Sequence, residues 1–264
     1  MKISEYTEEK LETFKQYIVP AVEASARAIE NAQMKPWRRV PSTLYLFDCG
    51  CADGADSTRL LVNAAGSVTH RFPIDYRLYG FEKQRQRAKD AQERYANNPH
   101  VTIYLGDVEQ QLAAVLAAVP PQAFGLAVID LWNVPSWALQ EQLGERCQTV
   151  DHLVLCCAGG YKRHPSLGTN WQQSRIPRAN IHRANKKFAL IGKPWGPSQH
   201  VVMYFTNYEK LAVERKSVGM VALTSKVGRQ RWDDIHTVNQ PGVRQNELHQ
   251  QRTARALQLG LGLE

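Results

Sequence analysis

The chain has 264 residues, 43% of them hydrophobic, and a formal net charge of +8. That size and apolar content suit one α/β domain with embellishments and exclude wholesale disorder, and the strand-length apolar runs exclude a membrane-spanning helix. The basic surplus favours a polyanionic partner, nucleic acid above all, and the opening residues Met1 to Thr7 hold no apolar stretch, so a cytoplasmic protein is expected.

Thr7 can cap a helix from Glu8 to Ile18, with Leu11, Phe14 and Ile18 at helical spacing. Pro20 is expected to end or kink it, or to open a second helix through Ala32 whose apolar face is Val22, Ala26 and Ile29. This leader, residues 1–40, is expected to pack beside a sheet. Lys35-Pro-Trp-Arg-Arg39 reads as a basic, aromatic linker.

Leu44 to Phe47 is an apolar run of the length of a buried parallel strand. Asp48 ends it, and Gly50, Ala52 and Gly54 follow at alternating positions. Residues this small let the chain turn sharply and let a ligand lie against the backbone. A helix from Thr58 to Ala65 comes next, capped by Asp56 or Ser57. Strand, glycine turn and helix form the nucleotide-cradling unit of doubly wound folds; an ordinary strand-to-helix turn is the plainer alternative.

After a polar insertion from His70 to Tyr76, Arg77 to Phe81 is the second strand, with Glu82 at its carboxyl end. An acid there either accepts the ribose hydroxyls of an adenosine ligand or caps a helix from Lys83 to Ala96. Val101 to Leu105 is the third strand, ending in Gly106-Asp107, where the acid can meet an adenine amino group, cap the helix from Val108 to Val119, or do both. Phe124 to Ile129 is a fourth, central strand. Ligands in open α/β sheets bind outside the carboxyl ends of the strands, so Asp130, Trp132, Asn133, Pro135 and Trp137 crowd the expected site. The two tryptophans can stack on bases or simply fill core.

His152 to Cys157 is the fifth strand. The chain then turns basic, with Lys162, Arg163, Arg175, Arg178, Arg183, Lys186 and Lys187 as candidates to lie along phosphates; a solvated helix face is the alternative. Phe188 to Ile191 and His200 to Phe205 are strands separated by Pro194-Trp-Gly-Pro197, so the sheet is expected to end in an antiparallel hairpin. Tyr208 to Lys216, Lys226 to Ile235 and Gln245 to Leu257 read as helices. The expected organisation is a main domain over residues 41–210 and a helical extension over 211–264. Cys49, Cys51, Cys147, Cys156 and Cys157 include no C-x-x-C pair, so buried free thiols are expected and no metal centre.

Five β–α units followed by a terminal hairpin, with Asp48-Cys-Gly50-Cys-Ala-Asp-Gly54, Glu82 and Gly106-Asp107 at these places, resemble the class I S-adenosylmethionine-dependent methyltransferases. The resemblance implies an α/β fold: a three-layer Rossmann-like sheet ending in an antiparallel hairpin. It implies S-adenosylmethionine as cofactor, held by Asp48, Gly50, Cys51, Ala52, Gly54, Glu82, Lys83, Asp107, Val108 and Asp130. It implies Asp130, Trp132 and Asn133 as the residues about the methyl acceptor, with nucleic acid as the substrate. Catalysis of this kind is chiefly alignment of acceptor and methyl donor. Amino-directed nucleic-acid methyltransferases carry a polar-Pro-Pro-aromatic turn after the fourth strand, whereas this chain has Asp130-Leu-Trp132 and Asn133-Val-Pro-Ser-Trp137. A methyltransferase-like adaptor without turnover is therefore the alternative, with an NAD-dependent oxidoreductase behind it. A narrower resemblance is to the three-Cys-motif partner proteins, a bacterial methyltransferase-like group associated with nucleic acid. The leader helix, the basic stretch and the hairpin ending Tyr-Phe-Thr-Asn207 carry it.

Overall fold

Strands with near-continuous apolar sequence need cover on both faces, and the fold supplies it with a helix layer on each side of one sheet. The computed structural model describes residues 5–35, 40–131, 137–157, 184–195, 200–217 and 219–237. Trp132, Asn133, most of the basic stretch (Lys162, Arg163, Arg175, Arg178 and Arg183 among it) and the expected tail helix from Gln245 lie outside the described residues.

The strands are β1 (Thr43–Cys49), β2 (Asp75–Glu82), β3 (Val101–Leu105), β4 (Phe124–Ile129), β5 (Val150–Cys157), β6 (Phe188–Ile191), β7 (His200–Thr206) and β8 (Val221–Ala222). They form one sheet in the order β3-β2-β1-β4-β5-β7-β6-β8. The first five are parallel to one another, and β7 runs antiparallel to both β5 and β6, which is the expected hairpin. β1 runs on through Asp48 to Cys49 and β5 begins at Val150, beyond their expected bounds, and two further differences come from strand pairing. β2 starts at Asp75 because Thr43 and Leu44 of β1 pair with Asp75 and Tyr76, drawing them out of the expected insertion. β8 is added beyond the hairpin, where Val221 and Ala222 pair with Ile191 and Leu190.

The helices are α1 (Glu5–Gln33), α2 (Ser57–Thr69), α3 (Arg85–Tyr95), α4 (Val108–Ala117), α5 (Trp137–Arg146), α6 (Glu209–Ser217) and α7 (Lys226–Thr237). The first corrects the sequence reading: it is a single helix of 29 residues that runs through Pro20. An internal proline removes one backbone hydrogen bond and costs about 3 kcal/mol. Against that, Phe14, Ile18, Ala21, Val22, Ala26 and Ile29 are all fully buried in one stripe. Two large aliphatic or aromatic side chains on either side of the proline return roughly 1.5–3 kcal/mol each, enough to hold the helix together.

Helices α1, α2 and α6 cover one face of the sheet with α2's Leu61 and Val68 and β4's Leu126 and Val128. Helices α4, α5 and α7 cover the other through Leu112, Leu139 and Trp232. Trp137 belongs to that second layer: its ring stands edge-on to Phe205, 6.2 Å away, and 6.3 Å from Trp232. Core packing, not base stacking, is its place. Four of the cysteines are as expected: Cys49, Cys51, Cys147 and Cys156 are free and buried. Burial pushes the Cys147 thiol up to about 11 and also raises those of Cys49 and Cys51, so none of these three is poised as a thiolate nucleophile.

The amino edge of the sheet holds a sealed polar cluster. Lys186, 4% exposed, donates from Nζ to the carbonyls of Gln148 (2.7 Å) and Val150 (2.5 Å). Tyr204 donates to Asp151 Oδ2 at 2.6 Å, and the Arg215 guanidinium lies over the rings of Tyr204 and Tyr17. This overturns the expectation that Lys186 lies along phosphates. It is a buried structural cation, and with exposed Lys187 it sits just before β6, at the opposite edge from the strand ends where ligands bind.

Candidate active site

Four of the parallel strands release their chains at one level. Cys49 of β1 stands opposite Phe81 of β2 and Ile129 of β4, and Glu82 stands opposite Leu105 of β3. The residues that follow these positions are therefore neighbours: Gly50, Glu82, Gly106 with Asp107, and Asp130.

The turn after β1 is braced from three sides. The amides of Gly50 and Cys51 both donate to the Phe81 carbonyl at 3.0 Å. The Tyr95 hydroxyl donates to the Gly54 carbonyl at 2.7 Å, and Arg94 Nε donates to the Asp53 carbonyl at 3.1 Å. Gly50 and Gly54 have φ of +99° and +75°, and Ala52 is held at +50°, a left-handed conformation side chains rarely adopt. A Cβ at Gly50 would stand 2.5 Å from the Asp130 carbonyl oxygen. The glycine is required by the close approach of β4's exit to β1's exit, a constraint within the protein itself. Cys51 faces inward, with Ala91 and Ile103.

Asp48 is fully buried, and its carboxylate is an internal acceptor. Ser57 Oγ donates to both of its oxygens at 2.9 Å, and Thr58 Oγ1 donates to Oδ2 at 2.5 Å. Burial pushes its pKa up to about 6, against the pull of these hydroxyls. Asp56 occupies the N-cap position of α2 but its side chain makes no capping bond, and Ser57 is spent on Asp48. The strand, turn and helix are thus tied together by a buried carboxylate.

Glu82 and Asp107 lie side by side, joined by the Gly106 amide donating to the Glu82 carbonyl at 3.0 Å. Glu82 is 8% exposed. Its Oε1 accepts from the Gln84 amide at 2.7 Å, and Oε2 has no partner among the described residues. Asp107 caps α4, with Oδ1 accepting from the Glu109 amide at 2.9 Å. Both acids thus do local structural work with one oxygen and keep the other. Val108 sinks into the core behind them, and Lys83 is exposed beside them.

Asp130 follows β4 directly, its amide donating to the Cys49 carbonyl at 2.9 Å. Its Oδ2 forms an ion pair of 2.6 Å with Lys10 Nζ, the two side chains 12% and 15% exposed. The Lys10 ammonium also lies 5.5 Å from the Phe14 ring centre. Burial works against this charge, but Asp130, with Asp56 and Asp48 beyond it, outweighs burial and holds the Lys10 pKa above the ordinary lysine value. Sequence reasoning missed Lys10, because nothing local distinguishes it from other polar residues of an amphipathic helix. The braces Arg94 and Tyr95 were missed for the same reason.

The edge therefore offers a small-residue turn, two acids with one oxygen each to spare, and a paired acid at β4. Backbone proximity and unpartnered carboxylate oxygens fit an adenosyl ligand's ribose hydroxyls and adenine amino group.

No protein-family model matches the sequence, and no curated protein is similar to it by sequence. Solved structures do resemble it at low identity. One is an rRNA methylase from Streptococcus thermophilus, 14% identical, with 64% of this chain and 90% of that one covered and a TM-score of 0.42. Another is a fibrillarin/Nop5p complex, 11% identical, covering 70% of this chain and 83% of the other, with a TM-score of 0.42. A third is WbdD, a bifunctional kinase-methyltransferase, 17% identical with a TM-score of 0.43, where the match covers 72% of this chain and only 39% of the other. By its own strand order, five parallel strands closed by an antiparallel hairpin, the chain has a Rossmann-like α/β fold, the sheet that the resemblance to class I methyltransferases leads one to expect.

Proposed function

We propose that the protein is an S-adenosylmethionine-dependent methyltransferase acting on nucleic acid. The observation that carries this reading is the shared level of Gly50, Glu82, Asp107 and Asp130 at the carboxyl edge of the sheet. Glu82 Oε2 would accept from a ribose hydroxyl, and the second oxygen of Asp107 from the adenine amino group. The backbone of Gly50 to Gly54 would line the ligand's near side, with Asp48 as the positioning residue that fixes the turn. When bound, the cofactor would supply an electrophilic methyl on a sulfonium. Asp130 stands at the acceptor side, to orient the acceptor and receive its proton, and Trp132 and Asn133 follow it in sequence as candidate acceptor contacts.

The nucleic-acid part of the reading is supported by the net charge of +8 and by exposed Lys83, Arg85, Arg87 and Lys89 at the start of α3, beside Glu82. Lys162, Arg163, Arg175, Arg178 and Arg183 belong to it through sequence alone.

Titration of the purified chain with S-adenosylmethionine by calorimetry tests the cofactor. Micromolar binding is expected, weakened roughly tenfold or more by Glu82→Ala through loss of a charge-assisted hydrogen bond. Transfer of labelled methyl onto RNA and DNA pools tests the substrate. Binding without transfer to any nucleic acid would reject the substrate class, and failure to bind would favour the adaptor.

A further inference from the structure

The N-terminal helix delivers a cation into the one place where a methyl donor would bring another. Lys10 Nζ is 2.6 Å from Asp130 Oδ2, both side chains largely withdrawn from water. Asp130 is next to the Gly50 turn, its carbonyl oxygen 2.5 Å from where a Cβ on Gly50 would be. Asp48 and Asp56 flank the same turn and act on Lys10 by charge. The group is three carboxyls and one ammonium, set at the carboxyl ends of β1 and β4. The Asp130 carboxylate has no hydrogen-bond or ion-pair partner among the described residues other than Lys10.

We infer that Lys10 sets the discrimination between the cationic methyl donor and its neutral demethylated product at this site. This rests on the proposed cofactor. The two ligands share their adenosine and amino-acid parts and differ by one methyl and one positive charge at sulfur. Contacts to the shared parts, through Glu82, Asp107 and the turn, act on both equally. The field at the sulfur acts on one only. With Lys10 in place, the charge of Asp130 is balanced by its ion pair, and a second cation gains little from it. Without it, the uncompensated Asp130 attracts the sulfonium and ignores the thioether. Lys10 thereby weakens the donor relative to the product. It is a positioning and specificity residue, its ammonium held over the Phe14 ring and against the Asp130 carboxylate.

Calorimetry on the full chain with S-adenosylmethionine and, separately, S-adenosylhomocysteine tests this at pH 8. The readout is the ratio of the two dissociation constants, product over donor. Lys10→Met, which keeps the apolar stem, is expected to raise that ratio about tenfold, and Asp130→Asn to lower it by a similar factor, the size of one unit charge acting over several ångströms in a partly buried setting. Lys10→Gln should follow Lys10→Met and guards against a packing artefact. A purely structural role would shift both ligands together and leave the ratio unchanged, which would overturn the inference while leaving the cofactor reading intact. Wild type that binds neither ligand would overturn both.

Discussion

The two edges of the sheet hold charges of the same kinds, arranged to opposite effect. At the carboxyl edge, Glu82 and Asp107 each satisfy one oxygen and keep one free, and the Lys10–Asp130 pair is within reach of water. At the amino edge, Asp151, Lys186 and Arg215 are 1%, 4% and 2% exposed and bond inward to Tyr204 and to backbone carbonyls. A cluster of titratable groups marks a candidate site only where it keeps unspent bonding capacity and an open approach. The lower cluster has shifted pKa values and no approach, so it ties β5, β6, β7 and α6 to α1 instead.

Three substitutions sharpen or break this contrast. The largest effect is expected from Gly50→Val. Its Cβ would collide with the Asp130 carbonyl, and its φ of +99° is unsuitable for a β-branched residue. A loss of about 4 kcal/mol is expected, from strain and overpacking together, read as a fall in melting temperature and in denaturant midpoint. A variant as stable as wild type would mean that the exits of β1 and β4 are not in close contact.

Next is Lys186→Met. It leaves Asp151 buried without a counter-charge that favours its ionised form and should cost about 3 kcal/mol in urea unfolding. Because the cluster is sealed at the far edge, the folded variant should bind S-adenosylmethionine as wild type does. A selective loss of ligand affinity with stability unchanged would place the lower edge in the functional machinery.

The smallest effect concerns pH. Burial pushes the Asp151 carboxyl up to about 6 from an ordinary 3.8, despite the opposing pull of Lys186 and Tyr204. A raised folded pKa contributes stability that is fully present below pH 3.8 and is lost as pH rises through about 6. Wild type should therefore lose about 1 kcal/mol relative to Asp151→Asn between pH 5 and pH 7. Paired unfolding curves at those two pH values measure it, and a gap that does not change with pH would mean that Asp151 is ionised throughout.

Residue patterning alone was enough to place the strands β1 to β7, though not every end of them. Strands β3, β4 and β6 have the bounds that their apolar runs predict, and the small residues at Gly50 and Gly54 mark the turn that both a left-handed backbone and a tight approach demand. Glu82 and Asp107 were legible because each stands directly after a strand-length run, a position defined along the chain. The hairpin was legible for the same reason, from two runs flanking Pro194-Trp-Gly-Pro197.

What tertiary structure decided is whatever depends on partners distant in sequence. Pro20 is a breaker by local rule, yet α1 continues through it because burial against the sheet outweighs one lost hydrogen bond. Lys186 reads as one more cation in a basic run, but the fold turns it inward onto two carbonyls. Asp48 reads as a ligand-binding acid and is spent on Ser57 and Thr58. Lys10 and Asp130 are 120 positions apart, and no periodicity links them; only the packing of α1 across the ends of β1 and β4 makes them a pair. Sequence sets out which groups emerge at the strand ends, since that follows from local order. Which of those groups is already occupied depends on long-range contacts that a linear pattern does not contain.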